Sequence, residues 1–126
     1  PQPASQELKS ELRQWPVQLH LVGPTAPYFR DADLMLTADC VPFAYPNFHQ
    51  DFVKDNALAI ACPKLDDTSP YVDKLVAMID QGGLKSITVA HMEVPCCAGL
   101  IQIAQQAVER AERKVPLHTR MVSIRG

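Results

Sequence analysis

The stretch SITVAHMEVPCCAGLIQIAQQAVERAERK, residues 86–114, decides the fold. Ile87 and Val89 fall on one side of an extended chain, the period of a β-strand. From Ala98 to Lys114, apolar Leu100, Ile101, Ala104, Ala107, Val108 and Ala111 recur every three or four residues, with Glu and Arg between them. That is an amphipathic helix. Pro95 to Gly99 make a tight strand-to-helix junction, and Pro116 stops the helix. A strand passing straight into a long helix is half of a βαβ unit, the connection that parallel strands need.

Working outward, the same alternation repeats. In WPVQLHLV (15–22), Val17, Leu19 and Leu21 alternate with Gln18 and His20, which predicts a first strand. APYFRDA (26–32) reads as one turn of helix and DLMLTAD (33–39) as the second strand. Pro46 and Asn47 open a short helix with Phe48, Phe52 and Val53 on one face. ALAIA (57–61) is almost continuously apolar, as a strand buried on both faces should be. After the loop CPKLDDTSP (62–70), Ser69-Pro70 predicts an N-cap with proline at the first helical position. Val72, Leu75, Val76 and Ile79 carry that helix, and Gly82-Gly83 end it. LHTRMVSI (117–124) supplies a last strand. The expectation is a three-layer α/β/α sandwich around a mostly parallel sheet of about five strands. Residues 1–11 read as linker or tail, and 12–126 as a single cysteine-bearing domain.

Composition narrows the classes. The 126 residues are 47% hydrophobic and 21% charged with net charge −2, so no basic surplus points to nucleic acid. No apolar run approaches the ~20 residues of a membrane span. The given residues start with neither Met nor a basic-then-apolar leader, and read as a processed or excised piece without a signal peptide. A domain of this size does not need disulfides, and adjacent cysteines pair only through a strained ring. A reducing, cytoplasmic setting is therefore expected.

The four cysteines carry the chemistry. Cys40 closes the second strand, Cys62 closes ALAIA, and Cys96 and Cys97 stand at the strand-to-helix junction. Parallel strands end at one edge, and ligand sites form in the crevice outside it. A buried cysteine often only fills space, but four that all follow strands suggest one thiolate metal site, with an iron–sulfur cluster as its natural occupant. The start of the 98–114 helix favours thiolate over thiol at Cys96-Cys97. Zinc sites usually present C-x₂₋₄-C knuckles, which this chain lacks. A cluster can give each vicinal cysteine its own iron, so geometry favours it over zinc or copper without removing either. A thiol enzyme with Cys96 or Cys97 as nucleophile is the reading from a different class.

Other groups weigh less. His91-Met92-Glu93 with Pro95-Cys96 echoes a zinc-deaminase signature, but there the halves occupy separate helices and the second cysteine comes three residues later. His91 ends a strand near the thiols, where it could hydrogen-bond a cluster sulfur or substitute as a ligand. Lys64 is a loop lysine that could place positive charge near an anionic centre. His20, His49 and His118 suggest no ligand role, and Asp66-Asp67 read as loop residues approaching a helix. No Gly-rich phosphate loop or nucleophile elbow is present.

Together WPVQLHLVGPTAP, ADLMLTADCVPFAY, NFHQDF, ACPKLDD and MEVPCCAGL closely resemble the C-terminal domain of a family of bacterial and archaeal ferredoxin-like iron–sulfur proteins, over roughly Leu12 to Gly126. Members typically begin with a two-cluster ferredoxin domain rich in C-x-x-C-x-x-C, which this chain does not contain. A partial echo with the cluster-bearing subunit of respiratory complex I involves tandem cysteines and a Gly-Cys-Pro segment. The counterparts here, Cys96-Cys97 and Ala61-Cys62-Pro63, come in reversed order. The resemblance implies an electron-transfer or redox-sensing domain. Its [4Fe–4S] cluster would be held by Cys40, Cys62, Cys96 and Cys97, with a ferredoxin domain or another redox protein as partner.

Overall fold

The computed structural model describes residues 8–95 and 98–125. Its regular elements are β1 (Asp33–Ala38), α1 (Val41–Ala44), β2 (Ala57–Ala61), α2 (Tyr71–Asp80), β3 (Ser86–Met92), α3 (Ala98–Arg110) and β4 (Leu117–Val122). A single 3₁₀ turn, Pro27–Phe29, precedes β1, and a π-helical turn, His49–Val53, precedes β2. All strand pairings are parallel, in the order β2-β1-β3-β4. The chain therefore leaves β1 on one side to form β2 and returns across it to form β3. Right-handed crossovers put α2 and α3 on one face, packed together, and residues 41–53 on the other.

Burial follows from strand alternation. Leu34 and Leu36 of β1 and Ile87 and Val89 of β3 point to one face, and they share a core with Leu75, Met78 and Ile79 of α2 and Leu100, Ala104 and Ala107 of α3. Behind the other face, Phe52 is fully buried, stacked on Tyr45 and met edge-on by Phe48. The Arg120 guanidinium of β4 lies 4.3 Å from the Phe52 ring centre.

Among the described residues the sheet has four strands, not five. Residues 17–19 touch β2 through one parallel bridge, Gln18 to Ile60, and then curl away. The alternation holds only as far as His20: Leu19 is buried and His20 exposed, but Leu21 is exposed and Val22 buried, and the backbone groups a strand needs are taken elsewhere. Leu21 and Val22 donate back to the Gln18 carbonyl, and Lys74 Nζ draws in the carbonyls of Leu19, His20 and Val22 at 3.0–3.1 Å. Upstream, the Gln14 side chain substitutes for a strand: its amide accepts from Leu58 N–H and donates to Leu58 O, both at 2.8 Å.

Two helix ends differ from expectation for identifiable reasons. No side chain caps α2, because both the hydroxyl and the N–H of Ser69 are engaged by the stronger, charged acceptor Asp67. Helix α3 ends at Arg110 rather than Lys114. There the Asp80 carboxylate accepts the Glu112 and Arg113 N–H groups at 3.1 and 2.9 Å, and Lys114 Nζ caps the Glu109 and Ala111 carbonyls. The Gly82-Gly83 stop of α2 forms as expected. Gln81 and Gly82 donate to Ala77 O, and Gly83 takes the left-handed φ of 84°.

Candidate functional site at the carboxyl edge of the sheet

Cys62 follows β2 directly, and Cys40 lies two residues beyond β1. The ladder sets Ala38 beside Ala61, and Asp39 N–H donates to Ala61 O at 3.1 Å, so Asp39 and Cys62 leave the sheet side by side. The loop after β2 also meets the start of α3. A Cβ added to Gly99 would lie 3.2 Å from Pro63 Cβ, which makes the residue after Cys62 a neighbour of the first turn of α3. Cys40 is exposed and Cys62 half-buried, and both are free thiols. Cys96 and Cys97 lie outside the described residues. Among the described residues, no three His, Cys, Asp or Glu side chains are grouped to hold a metal ion.

Asp66 anchors this edge. Its Oδ2 accepts from Cys62 N–H at 3.0 Å, from the Gln18 amide at 3.0 Å and from the Tyr71 hydroxyl at 2.5 Å, while Asp66 N–H returns to Cys62 O at 2.8 Å. One carboxylate thus ties the Cys62 loop to α2 and to the N-terminal segment. Burial pushes its pKa up. The Tyr71, Cys62 and Gln18 hydrogen bonds, with His20 nearby, outweigh that and hold it below the ordinary value. Tyr71, fully buried, is raised well above the usual phenol range by burial and by its bond to Asp66. Asp39 moves the other way from Asp66, raised by burial and then by the Asp66 charge.

These directions fix an acid response. The folded-state value of Asp66 lies below its unfolded value of about 3.9, so its stabilisation is present above that pH and lost as pH falls through the folded value. Asp66→Asn is expected to lose about 1–3 kcal/mol at neutral pH, and urea unfolding between pH 7 and pH 3 should show a flatter acid limb than the parent. An unchanged acid limb would remove Asp66 from its anchoring role.

The remaining candidates are placed as follows. His91 donates through Nδ1 to Met92 O at 3.0 Å and joins no metal-holding group among the described residues. Lys64 is exposed. His49 Nδ1 accepts from Glu11 N–H, which docks residues read from sequence as tail onto the domain. Beside the thiols, Phe43 and Leu65 are 92% and 84% exposed, each three residues beyond a cysteine. Two concavities lie elsewhere: about 270 Å³ at the amino edge beside Glu11, Tyr28 and Asn56, and about 290 Å³ between Leu8 and His49. The sequence reading passed over Asp39 and took Asp66 only as a loop residue approaching a helix. The available signal was spacing, since an Asp four residues after Cys62 can return its carboxylate to the Cys62 N–H.

An open parallel sheet whose direction switches at β1, with its reactive side chains on the carboxyl edge, defines a Rossmann-like α/β domain. Residues 26–126 match the family described as Rossmann-like domain, and the chain belongs to it. An uncharacterized protein of Archaeoglobus fulgidus is 29% identical over 116 residues, covering 92% of this chain and 81% of the relative. No solved structure matches the chain. The loop after β1 reads Asp39-Cys40-Val41-Pro42, with none of the glycines that let a dinucleotide pyrophosphate approach the backbone. Among the described residues no helix is long and apolar enough to cross a membrane.

Proposed function

We propose that this domain binds an iron–sulfur cluster at the carboxyl edge of its sheet, through Cys40, Cys62, Cys96 and Cys97, and serves in electron transfer or redox sensing. The observation that carries the reading is the close approach of Pro63, which follows Cys62, to Gly99 in the first turn of α3, two residues after Cys97 in sequence. Soft thiol donors suit iron and sulfide better than hard cations. An orphaned carboxylate oxygen on Asp39 at the same edge fits an added group. When bound, a cluster would supply reversible one-electron chemistry. The protein residues would set its surroundings: Asp66 fixes the Cys62 loop, and exposed Phe43 and Leu65 offer an apolar rim to a ferredoxin domain or other redox partner. A reducing, cytoplasmic compartment would keep the thiols available.

Anaerobic purification with metal and sulfide analysis tests the reading. The expected result is bound iron with matching sulfide and a broad absorbance at about 400 nm that bleaches on reduction. Zinc or copper without sulfide would instead make the domain a metal–thiolate module. Binding of none of them would remove the metal reading.

A further inference from the structure

Residues 8–14 run along the domain without regular structure, and their two ends are held differently. At one end Gln14 brackets Leu58 with both groups of its amide at 2.8 Å, and Leu12 packs partly buried against the core. At the other end Leu8 is 82% exposed, and Lys9 and Ser10 are exposed with it. Among the described residues, the backbone of 8–11 has one hydrogen bond to the domain beyond this segment, from Glu11 N–H to His49 Nδ1 at 3.0 Å. A backbone N–H can only donate, so Nδ1 must offer its lone pair, and the bond exists only with a neutral imidazole. Protonation puts a hydrogen on Nδ1, and two donors then face each other with no acceptor between them.

We propose that residues 8–11 are a pH-sensitive strap, clipped by neutral His49, hinged at Gln14 and released when the imidazole is protonated. No thiol takes part, so the device stands independently of the metal-binding reading. The charged groups on the elements that meet here leave protonated His49 without a ready acceptor. Glu11 divides its carboxylate between the Gln50 amide at 3.1 Å and the Arg13 guanidinium at 3.8 Å. Asp51, on the same turn as His49, is engaged by the Tyr45 hydroxyl and the Asn47 amide. Lys9 lines the concavity beside His49 and Lys54 ends the turn, and both are cations that only donate. Release has a consequence because the strap walls both concavities, with Glu11, Arg13 and Gln14 at the amino edge and Leu8, Lys9 and Ser10 over His49. Acid removes the second concavity and uncovers the Glu11 side of the first, while Gln14 keeps Leu58 paired.

The test is NMR of the isotope-labelled full chain between about pH 8 and pH 5, the range in which imidazoles change charge. The His49 ring signals report protonation, and the heteronuclear NOE of the Ser10 and Glu11 amides reports order in the strap. In the parent that NOE should fall with the same midpoint as the His49 ring signals, while the Leu58 amide stays unmoved. His49→Asn sets an uncharged carbonyl oxygen near the place of Nδ1 and should hold the strap through the whole range. His49→Phe, with no acceptor, should leave it released even at the alkaline end. His49 is exposed, so both variants should keep the fold, which the strand amides of the same spectra check. A strap that stays ordered while His49 titrates in the parent would overturn the proposal, as would an ordered strap in His49→Phe. A parental pH response in His49→Asn would assign the release to another group, Glu11 first, and overturn it equally.

Discussion

Cys62→Ser is expected to keep the fold and lose most of the bound iron, by about tenfold under conditions that load the parent. The two side chains are nearly isosteric, and the backbone of Cys62 is held by Asp66 at both its N–H and its carbonyl, independently of sulfur. The core lies in Leu34, Leu36, Ile87, Val89 and the helices over them, away from the carboxyl edge. Far-UV circular dichroism should therefore match the parent while iron and sulfide analysis falls. Global unfolding of this variant would instead mark the metal as structural, since the binding energy of such a metal is folding energy. Full iron content would exclude Cys62 as a ligand.

The largest expected loss of stability comes from the turn after α2. A Cβ at Gly82 would lie 2.3 Å from Pro24 O and 2.6 Å from Met78 O, both backbone atoms that cannot rotate aside. Gly82→Ala should cost about 3 kcal/mol, a fall in Tm of roughly 10 °C. The neighbour provides the control. At Gly83 the nearest atom to an added Cβ is 3.5 Å away, leaving only the left-handed φ of 84° as a penalty. Gly83→Ala should cost about 1 kcal/mol. Thermal melts of the two variants that coincide would show that the segment around Pro24 yields freely.

The elements of the fold were legible where periodicity and burial agree. ALAIA and DLMLTAD are strands on sequence grounds because both of their faces are covered, and the α3 stripe at Leu100, Ala104 and Ala107 could face only a core. The first strand misled because three alternating apolar residues do not fix where backbone hydrogen bonds go, and once the chain curls after His20 the pattern fails, with Leu21 exposed and Val22 buried. Leu19 is buried as expected, yet Lys74, 55 residues away in sequence, decides the path of its carbonyl. The α3 end was hidden for a similar reason, being set by Asp80 on another helix. At the site, Cys40 and Cys62 were placed at the correct edge by topology alone. The orphaned oxygens of Thr37 and Asp39 were invisible, because an unmade hydrogen bond leaves no trace in sequence.

The replacement of a fifth strand by side chains gives the sheet two unlike flanks. Along the outside of β2, Leu58 is satisfied at both backbone groups by the Gln14 amide, Ile60 is bonded to Val17 and Leu19, and Asp66 holds the Cys62 N–H. Nothing remains there for another chain to zip onto. Beyond β4 no strand follows among the described residues, and His118, Thr119, Arg120 and Met121 are exposed. Among the described residues the β4 flank is thus the one left without such side-chain pairing, and its exposed polar residues His118 and Thr119 are what an added strand would have to desolvate.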